Sequence, residues 1–436
     1  MLHQASMSWG VYALVGGAIA YAAYRRGRLP LISSLFEPVF PGGNNRVLGK
    51  IIDIFAVLVT LFGTATSLGI GALQIQTGTS IVTGRDLSGD TFLIVAITVL
   101  TIIFIISAVT GVKKGIRMLS NANMILVIAL SVFALVAGPT VFLLDLMPTT
   151  VLTFFAGLPD MFTVYPSEGA TEQKFLQTWT TMLWAWWISW SPFVGMFIAK
   201  ISRGRTLRQF VTVVVLVPSG ISIVWYIIFG GSAIWQRMTG QGLEIIGSGE
   251  NVMFDLMANL PFSGITSIVV LIAIVIFFIT AADSATNVMG SMSQSGRTVP
   301  SKPVTIIWGA ALGLVAMSLL LAGGENALSG LQSIMVTTAL PFAIVLVGVM
   351  ICWAIDLKND PLMIRRSYAQ QAIRKGVVRG IDRHGDDFIF GVTQASGVEG
   401  AGAEFESDDP AYTEWFTGAL PEDDGEPETV VKRKPL

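Results

Sequence analysis

Nine long apolar segments constrain what this chain of 436 residues can fold into. About 20 consecutive apolar residues span the hydrocarbon core of a bilayer as a helix, and only helices or closed barrels satisfy their backbone groups there. The segments lack the alternation typical of barrel strands, so the sequence predicts an all-α, polytopic membrane helix bundle. The predicted segments are 9–24, 49–76, 91–111, 120–146, 175–199, 208–235, 263–284, 303–322 and 328–355.

The distribution of lysine and arginine predicts an orientation in the cell membrane. If the basic residues that follow the first segment are cytoplasmic, the loops on that side hold 14 Lys and Arg. The opposite loops hold three, namely Arg85, Lys174 and Arg237. Because cytoplasmic loops are the basic ones, the N-terminus is predicted outside and the C-terminus inside. No signal peptide precedes the first segment to place the N-terminus outside, so we expect further helices upstream.

The chain divides into three predicted domains. Residues 1–356 form the transmembrane domain, in which 148–172 is an amphipathic stretch and 239–262 a polar loop. Residues 357–384 are basic and predict a juxtamembrane cytoplasmic helix. This helix either binds anionic lipids at the membrane surface or stabilises the last span as a solvated helix. Residues 385–436 hold 13 Asp and Glu and are predicted to be disordered.

Residue content excludes several kinds of chemistry. The single cysteine, Cys352, cannot form an intramolecular disulfide, and two histidines, His3 and His384, are too few for a Cys/His zinc site. No segment shows a nucleophile–base pair or a His-rich metal cluster, so the sequence argues against an integral-membrane enzyme. We expect no cofactor beyond a coupling ion, and no nucleic-acid partner.

The fifth segment is rich in tryptophan. At 1.5 Å per residue, Trp187 lies roughly 20 Å from Lys200 at the cytoplasmic end, near the bilayer midplane. Interfacial aromatic belts lie at the membrane surface, which suits only Trp179, and helix contacts in membranes favour small residues over indoles. Indole faces bind cations, and aromatic cages recognise quaternary ammonium groups. The segment therefore predicts a site for a quaternary-ammonium solute, formed from Trp184, Trp186, Trp187 and Trp190, which cover too broad an arc for one solute to contact all four.

Pro192 is predicted to interrupt the same segment, since proline removes one backbone hydrogen bond and frees the carbonyl near Ile188. Irregular backbone at membrane depth usually lines a cavity or binds an ion. A tolerated kink is the alternative.

The run from Trp184 to Thr206 resembles the signature of the betaine/choline/carnitine transporter (BCCT) family over more than twenty residues. Residues 8–12, 60–69, 115–121 and 280–284 also agree with it. The resemblance implies a LeuT-like core of two inverted five-helix repeats after two extra helices. Members have twelve spans and nine are predicted here, so we expect the core to be incomplete at the N-terminus, without the family's third span.

The resemblance implies roles for individual aromatic residues. The family's central cage corresponds to Trp9, Tyr12 and Trp187, with Trp190 close by, and another cage tryptophan is replaced by Gln4. Trp186, Phe193 and Phe197 correspond to the cytoplasmic exit path. Without the family, Trp9 is equally well explained as an outer belt residue, and Tyr12 as a residue that extends its hydroxyl towards water.

The resemblance also implies ion sites. Thr60 and Thr64 lie one turn apart and offer hydroxyl ligands, although a threonine hydroxyl in a helix often bonds its own i−4 carbonyl instead. The family places sodium at these positions with Phe193. A second sodium site corresponds to Thr280, but the serine that should follow it is Ala281.

Two charged residues are candidates for a gate. Asp283 is the one acid deep in the seventh segment, and it either pairs with a loop arginine such as Arg205 or lies at the cytoplasmic mouth.

Together these features predict a sodium-coupled symporter for glycine betaine or choline that serves osmoprotection, and the resemblance implies a homotrimer. A sodium-independent exchanger of carnitine-like solutes and a non-transporting fragment or osmosensor are the alternatives. Ala281 favours the exchanger, whereas Thr60 and Thr64 favour sodium coupling.

Overall fold

A computed structural model describes residues 3–42, 47–110, 113–241, 251–324 and 327–389. These ranges are helical and contain no strand. Two short 3₁₀ helices, Ser33–Phe36 and Pro166–Glu168, and two π-helical segments, Leu176–Thr181 and Tyr226–Gly230, accompany the α-helices. The α-helices are α1 (Ser6–Arg26), α2 (Val47–Thr83), α3 (Asp90–Thr110), α4 (Lys113–Ala137), α5 (Thr140–Ala156), α6 (Leu158–Met161), α7 (Ala170–Phe175), α8 (Met182–Ile201), α9 (Leu207–Trp225), α10 (Gly231–Met238), α11 (Val252–Ala258), α12 (Ser263–Ser293), α13 (Lys302–Gly323), α14 (Ala327–Lys358) and α15 (Pro361–His384).

The predicted bundle is confirmed. Eight helical stretches of the described chain are long and apolar enough to cross a membrane, and they coincide with eight of the nine predicted segments. The remaining predicted segment, 9–24, is α1, a helix of 21 residues that packs against α8 and α9. The chain is therefore an all-α, multi-pass membrane protein.

Two predicted boundaries are wrong in ways that matter for the site. The fourth segment, predicted as 120–146, breaks at Gly138 and Pro139, because proline lacks the N–H that would continue the helix. A separate apolar helix, α5, starts beyond this break. The seventh segment, predicted to end at 284, continues to Ser293 and places Asp283 inside a helix.

The region predicted as a polar loop, 239–262, also contains a helix. The described part of this region includes α11, whose Phe254, Leu256 and Met257 are buried. These side chains belong to an apolar cluster with residues of α4 and α12. Apolar residues one turn apart therefore form a packed helix within an otherwise polar stretch.

The centre of the bundle is formed by α2, α8 and α12, with α1 and α14 packed around them. Close approach of α1 and α8 depends on glycine: a Cβ added at Gly195 would lie 2.6 Å from Cγ1 of Val15 and 3.1 Å from the backbone nitrogen of Gly16. Small residues at such contacts let membrane helices pack tightly. This contact fixes the position of the tryptophan-rich helix relative to the start of α1.

A cluster of ion pairs, here called the charged cluster, joins the C-terminal ends of α1 and α14. Arg26 and Arg28 pair with Asp356, and Arg25 pairs with Asp360. Arg28 also pairs with Glu37 in the segment that follows α1. Elsewhere Lys200, at the end of α8, donates to Ser291 near the end of α12. The basic ends of these helices therefore lie together at one end of the bundle.

The C-terminal predictions remain untested. The chain forms α15 where the basic helix was predicted, and residues 390–436 of the acidic tail lie outside the described residues. Lipid binding by the basic helix and disorder of the tail stay predictions.

Candidate solute-binding site

Three aromatic rings meet where α1 packs against α8. The ring centroids of Trp9 and Tyr12 lie 5.4 Å apart, those of Trp9 and Trp187 6.1 Å apart, and those of Tyr12 and Trp187 5.1 Å apart. Tyr12 is only 3% exposed, and both indoles are partly buried. We call these three residues the aromatic triad. None of its rings is exposed in the manner of Trp179, which is 52% exposed.

The geometry of the aromatic triad sets where a cation can bind. The rings are in contact, at the centroid separations typical of packed aromatic pairs, so they do not enclose a solute between opposed faces. Cation–π attraction acts over a ring face within ~6 Å of its centroid, and because the rings are tilted by 57° to 84° a cation faces them in turn and not all three at once. The triad therefore offers an aromatic platform, which becomes a cage only if the rings move apart.

A buried donor accompanies the platform. Nε1 of Trp9 is buried and has no hydrogen-bond partner. The indole N–H can only donate, and leaving such a group unpaired costs about 1–3 kcal/mol. The N–H of Trp9 is therefore suited to a ligand that provides a hydrogen-bond acceptor, such as a carboxylate oxygen.

The other three tryptophans of α8 point to different neighbours. Trp190 donates from Nε1 to the carbonyl of Gly63 on α2 at 3.1 Å, so its ring is held at the α2–α8 contact. Trp186 packs against a cluster that includes Met335 of α14. Trp184 lines a separate cavity described below. The four indoles thus diverge, in agreement with the broad arc read from their spacing.

Pro192 does not interrupt α8, and the prediction of an interruption is wrong. The helix runs without a break from Met182 to Ile201. The carbonyl of Ile188, which proline leaves without its usual donor, accepts a hydrogen bond from the Ser191 hydroxyl at 2.7 Å. This carbonyl is therefore satisfied within the helix and is not a free ligand for an ion. The irregular backbone lies about three turns earlier, in the π-helical segment Leu176–Thr181 that directly precedes α8.

The candidate ion ligands on α2 differ from each other. Thr60 and Thr64 are both buried, on either side of the carbonyl that Trp190 contacts. The Thr60 hydroxyl donates to the carbonyl of Ala56 at 2.8 Å, whereas Oγ1 of Thr64 has no hydrogen-bond partner. Phe193 is buried in the same apolar core, with its ring 5.5 Å from that of Trp190. Of the two threonines, Thr64 is therefore the one whose hydroxyl is available to bind an ion.

The second candidate ion site is less well supported by the geometry. The Thr280 hydroxyl donates to the carbonyls of Ile276 and Phe277 in its own helix. Ala281 adds no side-chain oxygen. One hydroxyl engaged with its own helix is a poor basis for an ion site.

The path and gate residues lie apart from each other. Phe197 is 45% exposed, whereas Phe193 one turn earlier is buried. Arg205 is exposed in the turn between α8 and α9. Asp283 is 2% exposed, and no ion pair of the described side chains joins it to Arg205. Asp283 lies ten residues before the end of α12, about 15 Å from it, so it is not a residue of the helix end.

Sequence reasoning missed a large cavity. It measures about 820 Å³ and is lined by α5, by the π-helical segment before α8, and by Trp184. Thr149, Thr150 and Thr153 of α5 give it a polar wall. His3 also lines it, and burial lowers the pKa of this imidazole. Three threonines within five residues of an apolar helix were the signal that could have revealed it.

Comparison with known proteins decides the family. The protein-family model described as "BCCT, betaine/carnitine/choline family transporter" matches residues 1–362 of this chain. The chain belongs to the BCCT family. The run from Trp184 to Thr206, on which the resemblance was based, lies within the matched range.

Several curated transporters are similar to this chain. The betaine/ectoine transporter LcoP of Corynebacterium glutamicum is 45% identical over 95% of this chain and 66% of its own length. The glycine betaine transporter OpuD of Bacillus subtilis is 39% identical over 79% of this chain and 66% of its own length. The glycine betaine/proline/choline transporter VP1723 of Vibrio parahaemolyticus is 39% identical over 82% and 64%. The chain spans about two thirds of the length of these relatives.

BCCT membership leaves the individual residues to be tested. The cage positions implied by the family, Trp9, Tyr12 and Trp187, are in contact. Gln4, which replaces a cage tryptophan, lies in the turn before α1. The inverted-repeat arrangement, the sodium sites and the exit path stay predictions.

Proposed function

We propose that this BCCT protein transports a quaternary-ammonium solute of the glycine betaine type into the cell across the plasma membrane, for osmoprotection. The observation that carries the proposal is the aromatic triad with the unpaired N–H of Trp9 beside it. A betaine has a methylated cation for the ring faces and a carboxylate for the N–H donor. Choline has the cation but only a hydroxyl, so the site favours betaine.

Uptake into proteoliposomes tests this function directly. We expect radiolabelled glycine betaine to accumulate in vesicles that contain the full chain, and unlabelled betaine to compete better than unlabelled choline. Protein-free vesicles provide the background. Accumulation no greater than this background would show that the chain is not a betaine transporter on its own, as the fragment alternative requires.

We further propose that sodium couples to transport at Thr64. This hydroxyl is buried and unpaired, and it lies on α2 next to Gly63, whose carbonyl accepts a hydrogen bond from Trp190 of α8. A structural hydroxyl would be bonded, as that of Thr60 is. Ala281 is the observation that favours the alternative, sodium-independent exchange. Uptake that needs internal betaine but no sodium would establish the exchanger instead.

Replacing Thr64 by valine tests the sodium proposal. Loss of one ligand oxygen, worth about 1 kcal/mol, is expected to raise the sodium concentration for half-maximal uptake by about fivefold. The measurement is betaine uptake as a function of external sodium. Thr79→Val is the matched control, because the Thr79 hydroxyl bonds Ile75 of its own helix. An identical sodium dependence in Thr64→Val and wild type would remove Thr64 from the ion site.

The cellular arrangement completes the proposal. The basic helix ends, among them those joined in the charged cluster, face the cytoplasm under the positive-inside rule. The C-terminal helix α15 is then cytoplasmic, where it can meet anionic lipids. A homotrimer is proposed from the family alone.

A further inference from the structure

A buried carboxyl group without a compensating charge lies in the middle of the bundle, away from the aromatic triad. Asp283 is on α12 and only 2% exposed. One of its oxygens, Oδ1, accepts a hydrogen bond from the side-chain amide of Asn287 at 2.8 Å. The other oxygen, Oδ2, is buried and has no hydrogen-bond partner. The hydroxyl of Ser107 on α3 lies close enough to interact with the carboxyl group as a hydrogen-bond donor, without pairing with Oδ2.

A second unpaired oxygen lies one turn along the same helix. Thr286 is fully buried, and its Oγ1 has no hydrogen-bond partner. Residues three apart on a helix are neighbours on its surface, about 5–6 Å apart between Cβ atoms. Two unsatisfied oxygens on one helix face are unusual, because buried polar groups are normally paired.

No positive charge of the described residues compensates Asp283. Its helix packs against α2, α3, α4, α8, α11 and α13. Lys200 of α8 donates to Ser291, two turns away, and Asp53 of α2 accepts from the backbone and hydroxyl of Ser33. The remaining ionisable side chains described on these helices, none of which pairs with Asp283, are Lys50, Asp90, Arg117, Asp255 and Lys302.

A carboxylate in this position is costly. Taking an ion from water into the protein interior costs several kcal/mol unless it is paired, so charged residues within membrane spans are usually neutralised or functional. Two neutralising partners are available: a proton and a hard metal cation. Hard cations take about six oxygen ligands, whereas the unpaired side-chain oxygens found here, Oδ2 of Asp283 and Oγ1 of Thr286, are two. A proton needs a single oxygen.

We propose that Asp283 binds a proton in this arrangement of the helices and that the transport cycle depends on this protonation. The proton resides on Oδ2, the oxygen that has no hydrogen-bond partner. Release requires water to reach the carboxyl group, and hence a separation of α12 from α3. Because α12 also packs against α2 and α8, such a movement also disturbs the helices that carry Thr64 and Trp187.

Infrared difference spectroscopy on the purified full chain in liposomes tests proton binding without any transport assay. At neutral pH most exposed carboxyl groups are ionised, so a buried acid contributes a distinct carboxylic C=O band. We expect this band in the wild type and not in Asp283→Asn. Asp53→Asn is the matched control and should keep the band. Absence of the band from the wild type, or its persistence in Asp283→Asn, would overturn the proposal.

Uptake as a function of pH tests the dependence of transport. Above the titration of Asp283, wild-type uptake should fall by up to about tenfold per pH unit, because a single group loses its proton at that rate. Asp283→Asn mimics the protonated acid in shape and neutrality, so its uptake should stay flat over the same range. Equal pH profiles in both proteins would contradict the dependence, and a variant that fails to fold would contradict a neutral carboxyl group. If no solute is taken up at all, the infrared result still decides whether the proton is bound.

Discussion

Replacing Trp187 by leucine is expected to weaken glycine betaine binding by roughly tenfold or more. The indole supplies one of the three rings of the aromatic triad and lies within 6.1 Å of both others. A cation–π contact in a desolvated site contributes about 1–2 kcal/mol, and 1.4 kcal/mol corresponds to a tenfold change in affinity. Leucine preserves an apolar contact with α1 but offers no π face. The measurement is equilibrium binding of radiolabelled betaine to purified protein, followed by uptake in proteoliposomes.

Two further variants separate the cation–π effect from a loss of packing. Trp187→Phe keeps a ring, so it should retain more of the affinity than leucine does. Trp179→Leu removes an exposed indole of the same segment and should leave binding unchanged. Equal binding by wild type and Trp187→Leu would refute the aromatic triad as the solute site, and the proposed function with it. A loss as large in Trp179→Leu would show that the effect is not specific to the triad.

Much of the bundle could be predicted because lipid imposes a simple rule. Each span must be apolar and about 20 residues long, so the runs of apolar residues mark the helices. The same rule cannot predict the end of a helix that continues beyond its apolar run, as α12 does for nine residues after 284. Two consecutive apolar helices also look like one apolar run, which is why the break between α4 and α5 at Gly138 and Pro139 was missed.

The site could be predicted only in part. The density of tryptophan in α8 pointed to the helix that carries the candidate site, but spacing along one helix cannot tell which ring meets which neighbour. Tyr12 joins Trp187 across the α1–α8 contact, a pairing that the family resemblance suggested and that periodicity alone did not. The bond from Trp190 to Gly63 depends on the distance between α2 and α8, which is set by packing. The unpaired oxygen of Asp283 likewise becomes evident only when every neighbouring helix is in place.

The charged cluster carries the largest expected effect on stability. Asp356 accepts hydrogen bonds or ion pairs from both Arg26 and Arg28, and its side chain is only 6% exposed. Asp356→Asn would remove the counter-charge shared by Arg26 and Arg28, which are 12% and 16% exposed; Arg28 would keep Glu37, whereas Arg26 would lose its acidic partner. Breaking a buried pair by removing one partner typically costs about 3 kcal/mol or more, because the remaining charge is left uncompensated. We therefore expect a clearly lower temperature of thermal unfolding in detergent, measured by circular dichroism.

The matched control for the charged cluster is Glu37→Gln. Glu37 also pairs with Arg28, but its side chain is 37% exposed, so water replaces much of what the carboxylate provides. Its loss should change the unfolding temperature little. Asp360, whose side chain is 12% exposed, lies between Asp356 and Glu37 in burial. It accepts hydrogen bonds from Arg25 and from the hydroxyl of Tyr21, and it directly precedes α15. If Asp356→Asn unfolds at the wild-type temperature, the ion pairs do not hold α1 to α14. The apolar contacts between these helices would then have to fix the end of the last span, from which α15 extends.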